Sequence, residues 1–188
     1  MSETARQLTT AELEAGLDNI LASPKGVGRL ELIVKRPDVD VRESVDEGHL
    51  DVAEGLVGDN WLARGCRHMP NGAADPDMQL NIMNARVVQL VADDPARREL
   101  AGDQLYVDMD LSGDNLPPGT QLSIGDAIIE VTEPPHTGCK KFAARFGVDA
   151  MVFVNSGPGK NLNFRGINAR VIRSGRIKVG DVARKLQN

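Results

Sequence analysis

The chain has 188 residues, of which 41% are hydrophobic and 26% are charged, and this composition predicts one globular domain that buries its own core. No apolar run approaches the roughly 18 residues of a membrane-spanning helix, and the polar N-terminus lacks a signal-peptide core, so we expect a cytoplasmic protein with no membrane partner. The two cysteines, Cys66 and Cys139, fit no disulfide or common metal-binding spacing and are expected to be free thiols.

The net charge of −5 conceals an asymmetry along the chain. Residues 1–133 hold 25 acidic and 11 basic residues, whereas residues 134–188 hold 2 acidic and 11 basic residues. Charge segregated in this way predicts an anion-binding face, provided that folding places the late basic residues on one side. A dispersed, solvated surface is the alternative.

The first predicted element is a helix over residues 8–21, because apolar residues recur at helical spacing and Thr9 or Thr10 can cap it. A strand follows from Gly28 and ends at Pro37. One face of this strand is predicted to hold Leu30, Leu32 and Val34.

The middle of the chain contains a long segment, residues 63–77, that is rich in Arg, Gly, Pro and Asn and has little apolar periodicity. We predict a long loop there, and long ordered loops are often functional. Further strands are predicted at 79–83, 104–111, 121–124, 127–132, 169–174 and 177–183, with helices at 84–92 and 141–146.

Gly-Asp pairs recur between several of these short apolar runs and are typical turn signals. Many short strands with few crossover helices indicate a mostly β barrel with a few peripheral α-helices rather than a parallel α/β sheet. We therefore predict an N-terminal helical extension over residues 1–27 and a β-barrel domain over residues 28–188.

The most unusual stretch is PPHTGCKKF at residues 134–142, which places Cys139 between a turn and a short helical pattern. Nearby cations, a histidine and a helix N-terminus all favour the thiolate, the reactive form of cysteine. His136 is therefore a candidate to assist Cys139 or to move a proton, with Thr137 or Gly138 as the expected helix cap. The residues alone leave open the alternative that Cys139 is a small buried apolar side chain.

Two other local patterns suggest binding sites. Cys66 and His68 together with His136 and Cys139 supply a possible zinc set, although their spacings are not those of common zinc modules. Gly-Pro-Gly-Lys at 157–160 resembles a phosphate loop but lacks the required residues around it, so we interpret it as a turn.

Three runs of sequence together resemble the MOSC family, the domain at the C-terminus of molybdenum-cofactor sulfurases that also forms small stand-alone bacterial proteins. They are GLVGDNW at 55–61, DLSGDNLPPGTQLSIGDAIIEVTEPPHTGCKKF at 110–142 and FRGINARVIRSGRIKVGD at 164–181. The resemblance implies a barrel like that of pyruvate kinase and gives Cys139 the family's cysteine role, as a ligand of molybdenum in a pterin cofactor or as a carrier of sulfur. The family's usual Gly-Asp, Arg and His run reads Gly58-Asp59-Asn60-Trp61 here, so no histidine role is expected at that point.

The cofactor implied by the resemblance carries a phosphate, which requires arginine, lysine or amide donors. The candidate cofactor-binding residues are Asn115, Thr137, Lys140, Lys141, Arg165 and Arg170. A solvated surface position is the alternative for each basic residue, and a turn is the alternative for Asn115. A flexible backbone at Gly166 is expected to let Arg165 approach a ligand.

The activity that the resemblance implies is reduction of an N-hydroxylated or N-oxide substrate. Electrons would come from a separate reductase, because the chain has no flavin, haem or iron–sulfur motif. The larger sulfurases also carry a pyridoxal-phosphate domain, which is not expected in these 188 residues, so any cysteine desulfurase step would take place elsewhere. One alternative is a sulfur carrier that holds a persulfide on Cys139 and exchanges it with a partner protein. A second is a non-catalytic anion or nucleic-acid binding module, although aromatic residues form only 3% of the chain and nucleic acid is not the expected partner.

Overall fold

The computed structural model describes residues 5–187, which form eleven strands and seven α-helices. The strands are β1 (Val27–Lys35), β2 (Glu43–Val45), β3 (Glu47–Asp51), β4 (Gly55–Leu56), β5 (Leu80–Asn84), β6 (Leu105–Asp108), β7 (Gln121–Ile124), β8 (Ala127–Pro135), β9 (Ile167–Arg173), β10 (Gly175–Lys178) and β11 (Val182–Lys185). The helices are α1 (Thr10–Ala15), α2 (Leu17–Leu21), α3 (Trp61–Arg64), α4 (Ala85–Ala92), α5 (Lys140–Phe146), α6 (Val148–Asn155) and α7 (Gly157–Asn161). Short 3₁₀ turns lie at Pro70–Gly72, Pro76–Met78 and Pro95–Ala101.

Seven of the strands close into a barrel in the order β1, β11, β7, β8, β9, β5, β6 and back to β1. Only β5 and β6 pair in parallel, whereas the other neighbours are antiparallel. Strand β2 adds to the end of β1, and β10, β3 and β4 form a separate small sheet. The predicted mostly β barrel with peripheral helices is therefore confirmed.

The alternation of side chains along the barrel strands divides the core into two clusters. Leu105 and Val107 of β6 point into the barrel cluster, whereas Tyr106 between them joins a second cluster with the helices. The second cluster includes Leu13 of α1 and Phe146 of α5, so the helices pack on the outer surface of the barrel. Strands β1, β5 and β6 contribute side chains to both clusters, so these three strands are packed on two sides.

Strand β1 departs from the simple alternation predicted for it. A register shift between Leu30 and Leu32 marks a β-bulge, in which one extra residue reverses the facing of those that follow. Leu30 therefore points into the barrel, whereas Leu32 and Val34 face the helices. The prediction that these three side chains share one face was wrong for this reason.

Several predicted elements are confirmed, and others need correction. β7 and α4 match the predictions closely, and Val87, Val88 and Val91 of α4 are buried as the helical spacing required. The helix predicted over residues 8–21 is two helices that meet at Gly16, and Thr9 does cap the first with a Thr9–Glu12 capping box. Residues 177–183 contain a turn between β10 and β11 rather than one strand.

The region between Pro37 and Trp61 contains β2, β3 and β4, which the sequence did not reveal. These strands are short, and most of the side chains of β2 and β3 are exposed or half-buried, so their apolar pattern is weak. Residues 157–160, interpreted as a turn, begin helix α7, because Pro158 occupies its first turn. None of the helices formed by residues 5–187 combines the length and the hydropathy needed to cross a bilayer.

Candidate functional site

A cavity of about 250 Å³ opens at one end of the barrel beside the turn that leads into α5. Its lining combines six cationic residues with two acidic ones and the Cys139 thiol. The lining residues are Arg36, Asp38, Val39, Asp40, Arg42, Asn60, Arg64, Asn81, Ala101, Gly102, His136, Cys139, Lys141, Phe142, Arg145 and Arg165. The cavity therefore has the character of an anion site with a nearby sulfur nucleophile.

Two of these arginines are held by fully buried aspartates behind the cavity wall. Asp59 accepts hydrogen bonds from Arg36 Nε and Nη2 at 2.9 and 2.8 Å. Asp103 accepts from Arg165 Nη1 at 2.7 and 2.9 Å. Because both carboxylates are compensated, Arg36 and Arg165 form fixed parts of the wall.

His136 completes the second of these pairs. Its Nε2 lies 2.7 Å from Asp103 Oδ1, and its Nδ1 has no hydrogen-bond partner within residues 5–187. Burial and the charge of Arg165 lower the pKa of His136 despite the opposing effect of Asp103. Burial alone would raise the pKa of Asp103, but Arg165 and His136 outweigh it, so this carboxyl is ionised. A neutral His136 therefore donates from Nε2 to Asp103 and keeps a lone pair at Nδ1.

Two cations at the cavity lack such compensation. Arg42 donates only to the carbonyl of Val41, and the side chain of Arg64 makes no hydrogen bond or ion pair with any residue that the structure describes. Burial lowers the pKa of the half-buried Arg42, and Arg145 and Arg36 lower it further. Arg64 is exposed, although its partial burial lowers its pKa as well. Uncompensated guanidinium groups of this kind favour an anionic ligand.

A third acidic residue, Asp40, bridges two further cations at the cavity. Its Oδ1 accepts hydrogen bonds from Lys141 Nζ at 3.0 Å and Arg145 Nη2 at 2.9 Å. Hydrogen bonding and charge from Lys141, with further contributions from the neighbouring arginines, lower the pKa of Asp40. Because 57% of the Asp40 side chain is exposed, solvent and salt screen this bridge.

Three buried polar atoms of the lining have no partner among residues 5–187. They are Nε of Arg42, Oδ1 of Asn60 and Nε of Arg165. A buried polar atom without a partner is costly, and native proteins contain few of them. Their concentration in one cavity indicates that its occupant, whether water or ligand, supplies hydrogen bonds there.

Cys139 lies at the cavity as the N-cap residue of α5, a position that the sequence predicted for Thr137 or Gly138. The thiol is exposed, so the alternative of a small buried side chain is wrong. The preceding residue, Gly138, is held by the side chain of Asn155 at the end of α6. Asn155 Oδ1 accepts from Gly138 N at 2.7 Å, and Asn155 Nδ2 donates to Gly138 O at 3.0 Å.

The candidate residues from the sequence divide into two groups. Cys139, His136, Lys141 and Arg165 meet at the cavity, whereas Thr137 and Lys140 are neighbours in the chain that do not line it. Asn115 and Arg170 lie elsewhere in the structure. Asn115 donates to the carbonyl of Asp110, and Arg170 pairs with Glu130 and Asp77, so local structure accounts for both.

Gly166, the glycine beside Arg165, lies close to neighbouring parts of the chain. Gly166 has a φ of +120°, and a Cβ on it would lie 2.3 Å from the carbonyl oxygen of Ile82 and 3.1 Å from His136 Cδ2. Gly166 therefore allows its backbone to pass close to strand β5 and to His136. The zinc alternative is also wrong, because within residues 5–187 no three His, Cys, Asp or Glu side chains cluster as metal ligands.

The sequence did not identify several residues as part of the site. Those that line the cavity are Arg36, Arg42, Asn60, Arg64 and Arg145, and those that hold its lining from behind are Asp59, Asp103 and Asn155. Asp59 and Asp103 each belong to a Gly-Asp pair that was interpreted only as a turn signal. Both preceding glycines do adopt positive φ, so the turn prediction was sound. What the turn interpretation left out is that the side chain of an aspartate at a turn can also be buried and form an ion pair with an arginine that is distant in sequence.

Comparison with known proteins gives one family match and several similar folds. The family model described as the MOSC domain matches residues 73–184, a range that includes His136, Cys139 and Arg165. No curated protein sequence matches the chain significantly.

Solved structures resemble the whole arrangement at low sequence identity. YuaD from Bacillus subtilis is 19% identical with a TM-score of 0.58, and the match covers 87% of this chain and 99% of that one. YiiM from Escherichia coli is 22% identical with a TM-score of 0.52, covering 85% and 70%. YiiM from Geobacillus stearothermophilus is 15% identical with a TM-score of 0.54, covering 87% and 75%. At these identities the likeness is one of fold.

Proposed function

Because this chain belongs to the MOSC domain family, whose domains are associated with molybdenum-cofactor binding in general, we propose that its cavity binds a molybdenum–pterin cofactor and that Cys139 is the protein ligand of the metal. The observation that carries the proposal is the exposed Cys139 thiol at a cavity with uncompensated arginines. A thiolate is a soft ligand suited to such a metal centre.

The residues of the cavity fit the two ends of this cofactor. Its phosphate requires cationic donors, and Arg42 and Arg64 are the two lining cations that no carboxylate among residues 5–187 occupies. The partnerless Nε of Arg42 and Oδ1 of Asn60 offer a donor and an acceptor to a polar ligand. The phosphate would thus be held by Arg42 and Arg64, and the metal by Cys139.

When bound, the cofactor would supply oxygen-atom transfer chemistry for an N-hydroxylated or N-oxide substrate, with electrons from a separate reductase. A reduction of this kind releases water and consumes protons. His136 is suited to accept and return a proton at Nδ1, because Nε2 is held by the ionised Asp103. Asp103 would stabilise the imidazolium form, and Arg165 would keep Asp103 in place.

The first test is the molybdenum content of protein produced in cells with intact cofactor synthesis. We expect metal in the wild type and its loss in Cys139→Ser, because serine replaces the proposed ligand. Cys66→Ser is the matched control, since Cys66 does not line the cavity, and it should retain the metal. Absence of molybdenum from the wild type, or full retention by Cys139→Ser, contradicts the proposal.

A second candidate function is supported by the same exposed thiol. Cys139 is accessible enough to attack the persulfide of a donor protein, taking its outer sulfur and releasing the donor as a thiolate. Purified protein would then carry one additional sulfur atom on Cys139 that a thiol reductant removes. Intact-mass measurement separates the two functions, because a metal ligand predicts no reducible additional sulfur.

A further inference from the structure

The turn that carries Cys139 has few backbone anchors. Strand β8 last pairs with β9 at Pro135, and helix α5 begins at Lys140. Within residues 5–187 the backbone of Thr137 and Gly138 makes no hydrogen bond to other backbone groups. The position of the thiol therefore depends on side chains that hold this short segment.

Three side-chain contacts hold the chain at this segment and just before it, at different distances along the chain from Cys139. Asn168 Nδ2 donates to the carbonyl of Pro134 at 2.8 Å, and His136 contacts Asp103. Among residues 5–187, only Asn155 binds the polar groups of Gly138 next to the cysteine, accepting from Gly138 N and donating to Gly138 O. The carbonyl of Gly138 belongs to the peptide that leads directly into Cys139.

We propose that Asn155 is a positioning residue, whose paired hydrogen bonds to Gly138 hold the Cys139 thiol at the cation-lined cavity. Asn155 is the last residue of α6, which contributes Ala150 and Val154 to the helix core, so its amide has a rigid base. The small size of Gly138 belongs to the same arrangement. A Cβ there would lie 3.0 Å from Asn155 Nδ2 and 3.3 Å from both Asn155 Oδ1 and Val154 Cγ2.

The inference rests on the proposed importance of Cys139, but its test does not require the cofactor. In a Cys66→Ser background only Cys139 remains to be alkylated. Iodoacetate is anionic and iodoacetamide is neutral, so the ratio of their rates of reaction with Cys139 reports whether the thiol lies beside cations. A change in the general reactivity of the thiol affects both rates equally and does not change the ratio. The same ratio in urea-unfolded protein gives the reference for an unpositioned thiol.

We expect the folded protein to favour iodoacetate by about fivefold over the unfolded reference, the effect of one unit charge at close range in water. Asn155→Ala should reduce this preference to the reference value while the protein remains folded. Asn161→Ala is the matched control, because Asn161 also ends a helix but is exposed and makes no contact with Gly138. An unchanged preference in Asn155→Ala overturns the inference.

A double-mutant cycle tests whether the two residues act together. Gly138→Ala adds a Cβ without requiring positive φ, because Gly138 is not in the left-handed region. We expect it to lose the iodoacetate preference, and we expect Gly138→Ala with Asn155→Ala to lose no more than either single variant. Additive losses contradict the paired arrangement.

Absence of molybdenum together with a normal probe preference would refute the proposed function and leave the positioning of Cys139 intact.

Discussion

Asp103 and Asp40 each hold two partners at the same cavity, but they differ in exposure. Asp103 is fully buried with Arg165 and His136, whereas 57% of the Asp40 side chain is exposed beside Lys141 and Arg145. Removing one member of a buried pair leaves the other charge uncompensated. Similar contacts should therefore have very different energetic consequences.

We predict that Asp103→Ala lowers the free energy of unfolding by about 3–5 kcal/mol, because it leaves Arg165 buried without its carboxylate. Asp40→Ala is the control and should cost much less than Asp103→Ala, since solvent screens the pairs that Asp40 makes. Urea unfolding followed by circular dichroism measures both. Equal losses in the two variants would show that burial does not determine the strength of these pairs.

At the scale of single residues, the sequence revealed the local part of the site. PPHTGCKKF placed His136 and Cys139 near each other because both belong to one turn. It did not reveal Asn155 or Asp103, which reach that turn across 17 and 33 residues. Long-range contacts of this kind depend on strand pairing and helix packing that one sequence does not specify.

Among the elements, β1 is joined to three neighbours, because it pairs with β11, β6 and β2. Gly28 lies where β1 passes closest to the end of β6. A Cβ there would lie 2.2 Å from the carbonyl oxygen of Asp108 and 2.9 Å from Met109 Cβ. The contact with Asp108 involves a backbone oxygen, so it cannot be relieved by the movement of a flexible side chain.

We therefore predict that Gly28→Ala destabilises the protein by at least about 1–3 kcal/mol, the usual range for overpacking. Gly113→Ala is the matched control, because Gly113 has no positive φ and a Cβ added to it would meet no atom of residues 5–187 within 4 Å. Thermal unfolding of both variants provides the measurement. A Tm for Gly28→Ala equal to that of Gly113→Ala would show that β1 and β6 separate without cost.

The elements that could be predicted are those with a strong apolar pattern. In β7 alternating residues are buried, and in α4 the buried valines recur at helical spacing. The short strands β2–β4 escaped prediction because pairing with other strands, rather than their own apolar pattern, stabilises them. The bulge in β1 could not be predicted for a similar reason, since it is defined by register with β6.

At the scale of the whole molecule, the cavity takes its cations from both the acidic and the basic part of the chain. Three cavity cations, Lys141, Arg145 and Arg165, come from the basic part of the chain. The other three come from the acidic part, because Arg36 and Arg42 follow β1 and Arg64 ends α3. The cation-lined cavity is therefore assembled by barrel closure within a protein whose net charge is −5.

The same closure leaves only 14% of the His136 side chain exposed and makes the stability of the whole molecule depend on pH. Burial and Arg165 lower the pKa of His136 below its ordinary value of 6.5. As the pH falls below that value, the unfolded chain binds a proton that the folded protein does not yet accept. The contribution of neutral His136 to the free energy of unfolding is therefore fully present above pH 6.5. It is progressively lost as the pH falls toward the pKa of His136 in the folded state.

We predict that the wild type loses up to about 1.4 kcal/mol of unfolding free energy per pH unit below pH 6.5 relative to His136→Gln, which lacks this titration. Urea unfolding between about pH 5 and pH 8 measures the difference while the carboxylates remain largely ionised. His68→Gln controls for removal of an exposed histidine. The prediction is contradicted if the difference in unfolding free energy between wild type and His136→Gln stays constant with pH. His136 would then bind a proton as readily in the folded protein as in the unfolded chain, contrary to its position beside Arg165.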